Sequence, residues 1–521
     1  LGAYAVLGPW AANIEEFSGA TAVRPLIVTM VVSAIMFGLA RVAFGGWAWA
    51  ALPASAAIVL LTGYGHIYRV LEPAQLMGMQ LGRHRHLIPA AVVLVVAFSM
   101  IGRRRPTWVL NLVPVANLMA VTGLVLPVVL IVAATLQMER NADNRENSAL
   151  VIPIPKVQDS SQMPDVYYIV TDTYARGDVL LGTYQYDNGQ FYRFLEEQGF
   201  YVADQSRANY LWTHLSLASA LNMQYIQELL PDLDNNSGAQ VVDALKHSRL
   251  RATLEAAGYS TVGFATGWDG SEFYDADILL YPDMPDFQRL QHAGTISDFE
   301  GILLQNSAAM VLIDLDSLRR TPVAEFVAAR LEDRFTLQRS IALGQFENLA
   351  NVPSIPGPKF VFAHILPPHG PHLFGRDGEL VDYEPRAFTL TEGLVADSRG
   401  SSRYLDELIF VTTRLEQIVQ SILVNSTRPV VIVLQSDHGP AVGIDWDDDP
   451  DLQALANRAA ILNAYYLPPD CQSSLYPTIT PVNSFRVVLG CVFGAEIDIV
   501  PDRTYIGYNS FELLAFDSID D

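Results

Sequence analysis

The chain has 521 residues, a hydrophobic fraction of 50% and a formal net charge of −23. Residues 1–150 hold ten Lys and Arg against six Asp and Glu, so the acidity belongs to the remainder. An acidic globular part excludes nucleic acid as a partner, because phosphate backbones require Lys and Arg, and the length allows more than one domain.

Four apolar runs occupy about 25–43, 47–64, 87–101 and 108–136. A helix crossing roughly 30 Å of hydrocarbon needs about 20 apolar residues, and each run meets or approaches that length. The opening stretch LGAYAVLGPWAAN (1–13) has the character of the tail of a further span whose start is absent. Residues 1–136 are therefore expected to form a transmembrane domain of four to five spans. Trp10, Trp47, Trp49, Tyr64, Tyr68 and Trp108 lie near the run ends, where amphipathic rings settle at the interface.

Arg103, Arg104 and Arg105 form the densest basic cluster and are expected on the cytoplasmic side. The last span then delivers the rest of the chain to the periplasmic or extracellular side of a bacterial-type plasma membrane. Arg69, Arg83 and Arg85 fall in a loop that this topology places outside, against the charge rule. Residues 137–164 are polar, contain Pro and lack periodicity, as a linker does.

From 165 onward strand-like and helix-like segments alternate. DVYYIVTD (165–172), FYVAD, STVGFAT, KFVFAHIL (359–366), PVVIVLQSD (429–437) and ILNAYYLP (461–468) are expected strands. Helices are expected at 188–199, over a long stretch 239–258, and near 323–350 and 402–425. This alternation predicts an α/β domain over 165–521 with a largely parallel central sheet. Ligands in such sheets bind beyond the carboxyl ends of the strands.

Polar residues gather at those ends. Asp172 closes the first strand, Asp437 and His438 close VVIVLQSD, and His364 and His369 lie in FVFAHILPPHGPH. Two carboxylates and an imidazole suit one divalent cation such as Zn²⁺ or Mn²⁺. In SRANYLWTHLSLASALNM (206–223), Thr213 follows an extended stretch and precedes a helix-compatible run. Its hydroxyl is either a helix N-cap or a nucleophile beside an anion-attracting helix N-terminus.

Taken together these segments resemble the alkaline phosphatase/sulfatase superfamily, in particular its membrane-anchored sulfatase-like branch. That branch includes lipoteichoic acid synthase and phosphoethanolamine transferase type enzymes. The resemblance runs through the spans, the Asp-ended first strand, T-x-x-S-L-A-S, PHxPH, SDHG and TITPVNSFRVVLG. It implies a sulfatase-like hydrolase or transferase in which Asp172, Thr213, Asp437 and His438 bind one catalytic metal. Thr213 would be the nucleophile that becomes phosphorylated. His369 would bind the substrate phosphate or protonate the leaving group, with His364 the second choice. The implied substrate is a phospholipid or a glycan, handled at a membrane lipid surface.

Formylglycine sulfatase chemistry does not fit, because Cys471 and Cys491 lie outside any C-x-P-x-R type motif. Thr173 follows Asp172 where sulfatases often carry a second acid, which favours a single metal. Cys471 and Cys491 form either a disulfide or two separate thiols. DWDDDPD (445–451) lacks the Gly and Glu of an EF-hand and is expected to be a solvated loop. G-x-S-x-G and P-loop motifs are absent from the sequence. Two other functions compete: a phosphodiesterase or phosphatase with water as acceptor, and a non-catalytic subunit of a larger membrane complex that keeps the fold.

Overall fold

The computed structural model describes residues 1–521 apart from 15–16, 18, 73, 77–78, 105, 148–150, 156–161, 232–237, 286, 288–295, 312–320, 382–397, 445–450, 508–512 and 516–521. The chain divides into two compact units.

The first unit is built on Leu1–Gln137 and takes in a later segment, Thr295–Arg334. Its N-terminal helices are α1 (Tyr4–Ala12), α2 (Gly19–Phe44), α3 (Trp47–Leu71), α4 (His84–Arg104) and α5 (Pro106–Asn147). Among the described residues three helices are long and apolar enough to cross a membrane, Gly19–Phe44, Trp49–Leu71 and Asn111–Leu136. His84–Met100 is apolar but shorter, and α1, where the truncated span was expected, is a nine-residue helix. The faces of α2 and α5 are largely exposed, with Val28, Ile35, Leu39, Leu118 and Leu126 uncovered, as lipid-facing helices are. Helix α5 continues to Asn147, into the stretch expected to be linker.

The later segment enters this unit through a short helix, Asp298–Asn306, which opens with a Ser297/Glu300 capping box. Its Phe299 is buried in a cluster with Val6, Phe17 and Ala22. Glu300 pairs with Arg24 on α2, and Asn306 accepts a hydrogen bond from Arg69 on α3. A Cβ at Gly65 would fall on the backbone of Gln305 and Asn306, so α3 needs Gly there for the approach. Arg69, which ran against the charge rule, thus has a partner supplied from far along the chain.

The second unit holds a seven-stranded sheet. Its strands are β1 (Asp165–Thr171), β2 (Tyr201–Val202), β3 (Ser260–Phe264), β4 (Ile278–Leu280), β5 (Lys359–Ile365), β6 (Val430–Ser436) and β7 (Asn463–Tyr466), in the order β2-β7-β6-β1-β5-β3-β4. The pairings β6-β1, β1-β5, β5-β3 and β3-β4 are parallel, and β7 pairs antiparallel with both β6 and β2. All seven residues of β1 are buried. That explains why its sequence is a continuous apolar run rather than an alternating one. Separate apolar clusters cover its alternate residues, one around Tyr168 and Phe485, the other around Tyr167 and Leu415.

The long helix expected over 239–258 is two, Gly238–Lys246 and Arg249–Ala256. Ser248 between them is extended (φ −70°, ψ 157°). The Arg249 N–H freed by the break donates to Asn222 Oδ1 at 2.9 Å, so the interruption leaves no orphan at that position. Cys471 and Cys491 form a disulfide, which resolves the alternatives left open above. Of DWDDDPD only Asp451 lies within the described residues, and it caps the helix Leu452–Ala459.

Candidate active site

Strand register does the first part of the assembly. Thr171 at the end of β1 pairs with Ser436 at the end of β6, so Asp172 and Asp437 leave neighbouring strands at the same level. His364 stands opposite Val170 on the other side of β1. The three sequence-distant donors therefore meet above one edge of the sheet. Ligand atoms of Asp172, His364 and Asp437 lie within 4.8 Å of one another. His438 Nε2 is 3.3 Å from Asp437 Oδ2 and 4.0 Å from Asp172 Oδ1, and His364 Nε2 is 3.7 Å from Asp172 Oδ2.

Thr213 is the first residue of the helix α6 (Thr213–Asn222). The N-cap position belongs to Trp212, which is extended and makes no side-chain cap bond. The capping alternative for Thr213 is thereby removed. Its Oγ1 lies 3.1 Å from His438 Nε2. His438 Nδ1 donates to the carbonyl of Gly439 at 3.0 Å, which leaves a lone pair on Nε2.

The electrostatics of this cluster are unbalanced. Asp172 is pushed up to about 7, chiefly by burial, against the opposing charge of Arg458. Asp437 is pushed up to about 8, first by burial and then by the charge of Asp172. Burial drives His438 well below its ordinary value and His364 to about 3, so both imidazoles are neutral. Asp172 Oδ1, Asp437 Oδ2 and His364 Nε2 are buried without a hydrogen-bond partner. Buried acceptors without donors are costly, and native sites satisfy them with water or ions. Two carboxylates and the His364 imidazole with unsatisfied lone pairs, with His438 Nε2 beside them, fit a divalent cation.

His364, expected as an alternative to His369, instead lies inside the donor cluster and is wholly buried. Its Nδ1 is 2.9 Å from Ser271 Oγ, and its ring lies 5.7 Å from that of Trp268 at 66° between the planes. His369 is half-buried on the loop after β5 and donates Nδ1–H to the carbonyl of Gly370 at 2.6 Å. Burial lowers its pKa, and the charge of Asp437 acts in the opposite direction.

Three further groups escaped the sequence analysis. Arg458 is buried and donates to the carbonyls of Leu211 and Gly439, each at 3.0 Å, with Nη2 3.4 Å from His438 Nε2. It ties the segment before Thr213 to the turn after His438. Burial lowers it to about 10, so it stays cationic beside the carboxylates. No sequence pattern marks it, since it closes an ordinary amphipathic helix.

Tyr404 Oη donates to the carbonyl of Thr173 at 2.8 Å and accepts from Ala175 N at 3.2 Å. Thr173 is held at φ 60°, a conformation a β-branched residue rarely adopts, and its N–H reaches Asp437 Oδ1 at 3.2 Å. Asn209 anchors the nucleophile segment to TITPVNS by bonds to Thr480 Oγ1, Val482 N and the carbonyl of Arg503. Tyr404 had a legible signal, because it stands with Glu407 on the otherwise apolar, buried stripe Leu408, Val411, Leu415, Ile418, Ile422.

No protein-family model matches the chain, and no curated protein matches it. Solved structures do. The lipooligosaccharide phosphoethanolamine transferase EptA from Neisseria meningitidis, an integral membrane protein, is 13% identical with a TM-score of 0.40, covering 94% of each chain. The C-terminal periplasmic domain of EptC from Escherichia coli is 13% identical with a TM-score of 0.41, covering 71% of this chain and 98% of that one. A 2-O GAG sulfatase is 13% identical with a TM-score of 0.35, covering 66% and 73%.

Proposed function

We propose that this protein is a membrane-bound, metal-dependent transferase. It would move a phospho-headgroup from a phosphodiester lipid to a glycan or lipid hydroxyl through a phospho-Thr213 intermediate. The observation that supports this best is Thr213 Oγ1, which stands on the first turn of α6 within 3.1 Å of His438 Nε2, where Asp172 and Asp437 converge. The dipole of a helix N-terminus favours the phosphoryl group the hydroxyl would attack.

Asp172, Asp437, His438 and Thr213 would hold the cation, with His364 a further donor beside Asp172. When bound, Zn²⁺ or Mn²⁺ would neutralise the carboxylates, favour the ionised hydroxyl and stabilise charge on the phosphoryl oxygens. Thr213 Oγ1, its proton released to solvent, forms a bond to phosphorus as the bond to the lipid alcohol breaks, and His369, protonated at Nε2, supplies the proton that alcohol carries away. An acceptor hydroxyl then displaces Thr213. The apolar helices keep the enzyme on the membrane that holds its donor, with the catalytic unit on the periplasmic or extracellular face.

The test is intact-mass measurement of the full chain incubated with Zn²⁺ or Mn²⁺ and a phospholipid bearing an ethanolamine or glycerol headgroup. The wild type should gain the phospho-headgroup mass at Thr213, and Thr213→Ala should not. A Thr213→Ala protein that transfers the headgroup at the wild-type rate would falsify the proposal.

A further inference from the structure

Glu407 is wholly buried on the helix Ser398–Asn425, and all its partners lie on the loop that carries His369. Its Oε2 is 2.8 Å from His372 Nδ1, and its Oε1 accepts from Leu373 N at 2.7 Å and Phe374 N at 3.2 Å. Glu407 Oε1 is taken up by two backbone N–H groups, and in the neutral imidazole whose Nδ1–H faces Oε2 the Nε2 keeps its lone pair. The His372 side chain is 13% exposed, and its Nε2 makes no hydrogen bond among the described residues. A carboxylate behind one ring nitrogen and an open lone pair on the other is the arrangement of a general base.

The dyad is linked to the site through the loop it shares with His369 and through Tyr404. His372 follows His369 by three residues, and the rings of His372 and Tyr404 are 6.3 Å apart. The Tyr404 hydroxyl in turn holds the Thr173 carbonyl, next to Asp172.

Building on the transferase reading above, we infer that His372, held by Glu407, is the base that activates the acceptor hydroxyl in the second half-reaction. The acceptor proton passes to His372 Nε2. The acceptor oxygen forms a bond to phosphorus, and the bond between phosphorus and Thr213 Oγ1 breaks, returning Thr213 to its starting form. Glu407 offsets the positive charge left on the imidazole. His369 gives its proton to the leaving alcohol of the first half-reaction and regains one from solvent, to which His372 releases the proton it took, so the two histidines divide the two proton transfers and both return to their starting forms.

The test follows the phospho-Thr213 adduct by intact mass in the full chain, with a phosphodiester lipid, Zn²⁺ or Mn²⁺, and a glycan or lipid acceptor. His372→Asn keeps a donor for Glu407 and removes the base. Glu407→Gln keeps an acceptor for the Leu373 N–H but turns an amide donor toward His372, which forces the hydrogen onto Nε2. In both variants the adduct should form at the wild-type rate and discharge about 100-fold more slowly. Added imidazole should speed discharge of His372→Asn.

Discharge at the wild-type rate in either variant overturns the assignment. So does equal slowing of formation and discharge, which would make the pair a support for the loop. A wild type that never forms the adduct overturns the transferase reading itself, and this assignment with it.

Discussion

Ser216 Oγ donates to the carbonyl of Asp437 at 2.7 Å, tying the helix that begins at Thr213 to the strand end that carries Asp437 and His438. Both residues are buried, so no water replaces the bond. Ser216→Ala should destabilise the protein by about 1–3 kcal/mol, the range for a buried group left without its partner. It should also slow formation of the Thr213 adduct while leaving bound metal per chain unchanged. Melting in detergent, metal analysis and adduct kinetics measure the three effects. Unaltered adduct kinetics would show that the helix start is fixed by other contacts.

The raised carboxylates predict opposite pH trends with and without cation. Folding raises Asp172 to about 7 and Asp437 to about 8, above their unfolded values. Between the unfolded and folded values the native state holds protons that the unfolded state has lost. Their contribution to stability is therefore full below the unfolded values and is lost as pH rises through 7 and 8. Cation-free protein should melt lower at pH 9 than at pH 6. The same deprotonation frees the donors, so the gain in melting temperature from Zn²⁺ or Mn²⁺ should grow over that interval. A cation-induced gain equal at both ends would contradict the assignment of these carboxylates as ligands.

Much of this site was legible because strand ends are legible. VVIVLQSD and DVYYIVTD announce buried parallel strands, and strands that end in acids announce where a ligand binds. What the strings do not carry is register. That Asp172 meets Asp437 depends on Thr171 pairing with Ser436, and that His364 joins them depends on β5 lying on the other side of β1. Hence His364 was only the second choice, after His369, for a role toward the substrate, and it lies beside Asp172 and Asp437. The split at Ser248 was hidden for a similar reason. The helical pattern continues through it, and only Asn222, brought in from the nucleophile helix, supplies the bond that makes the break tolerable. Segment Thr295–Arg334 gave no sign that its Phe299 would be buried against Val6 and Phe17, since both partners lie in the first strip of the chain.

The charge of Arg458 acts on both Asp172 and Asp437. Arg458→Met should cost about 2–4 kcal/mol in cation-free protein, because the Leu211 and Gly439 carbonyls lose their donors and the carboxylates lose a compensating charge. Added Zn²⁺ or Mn²⁺ should restore part of that loss, since the cation supplies charge at the same carboxylates. Arg458→Lys keeps the charge but not the planar fork, and should fall between the two. Thermal melts with and without cation give the ordering. Equal losses in both conditions would mean that the loops, rather than the charge, depend on Arg458.

Asn209 links the nucleophile segment to the C-terminal TITPVNS run, and it gives a sharper ordering of variants. Its Nδ2 donates to Thr480 Oγ1 at 3.0 Å and to the Arg503 carbonyl at 2.8 Å, and its Oδ1 accepts from Val482 N at 2.7 Å. The side chain is fully buried. Asn209→Ala removes the acceptor of the Val482 N–H and a donor to the Arg503 carbonyl and should cost about 2–4 kcal/mol. Asn209→Asp keeps the acceptor for Val482 but turns a second oxygen toward the Arg503 carbonyl, and it buries a charge near Asp502, which already accepts from Thr480. At neutral pH Asp should therefore be worse than Ala, despite being closer in shape to Asn. Both variants should slow adduct formation at Thr213, because the segment 206–213 loses its tether. Melting curves of the full-length variants at pH 7 decide the order. An Asp variant more stable than Ala would mean that the amide nitrogen, and with it the link to Thr480 and Arg503, contributes little to holding Thr213 in place.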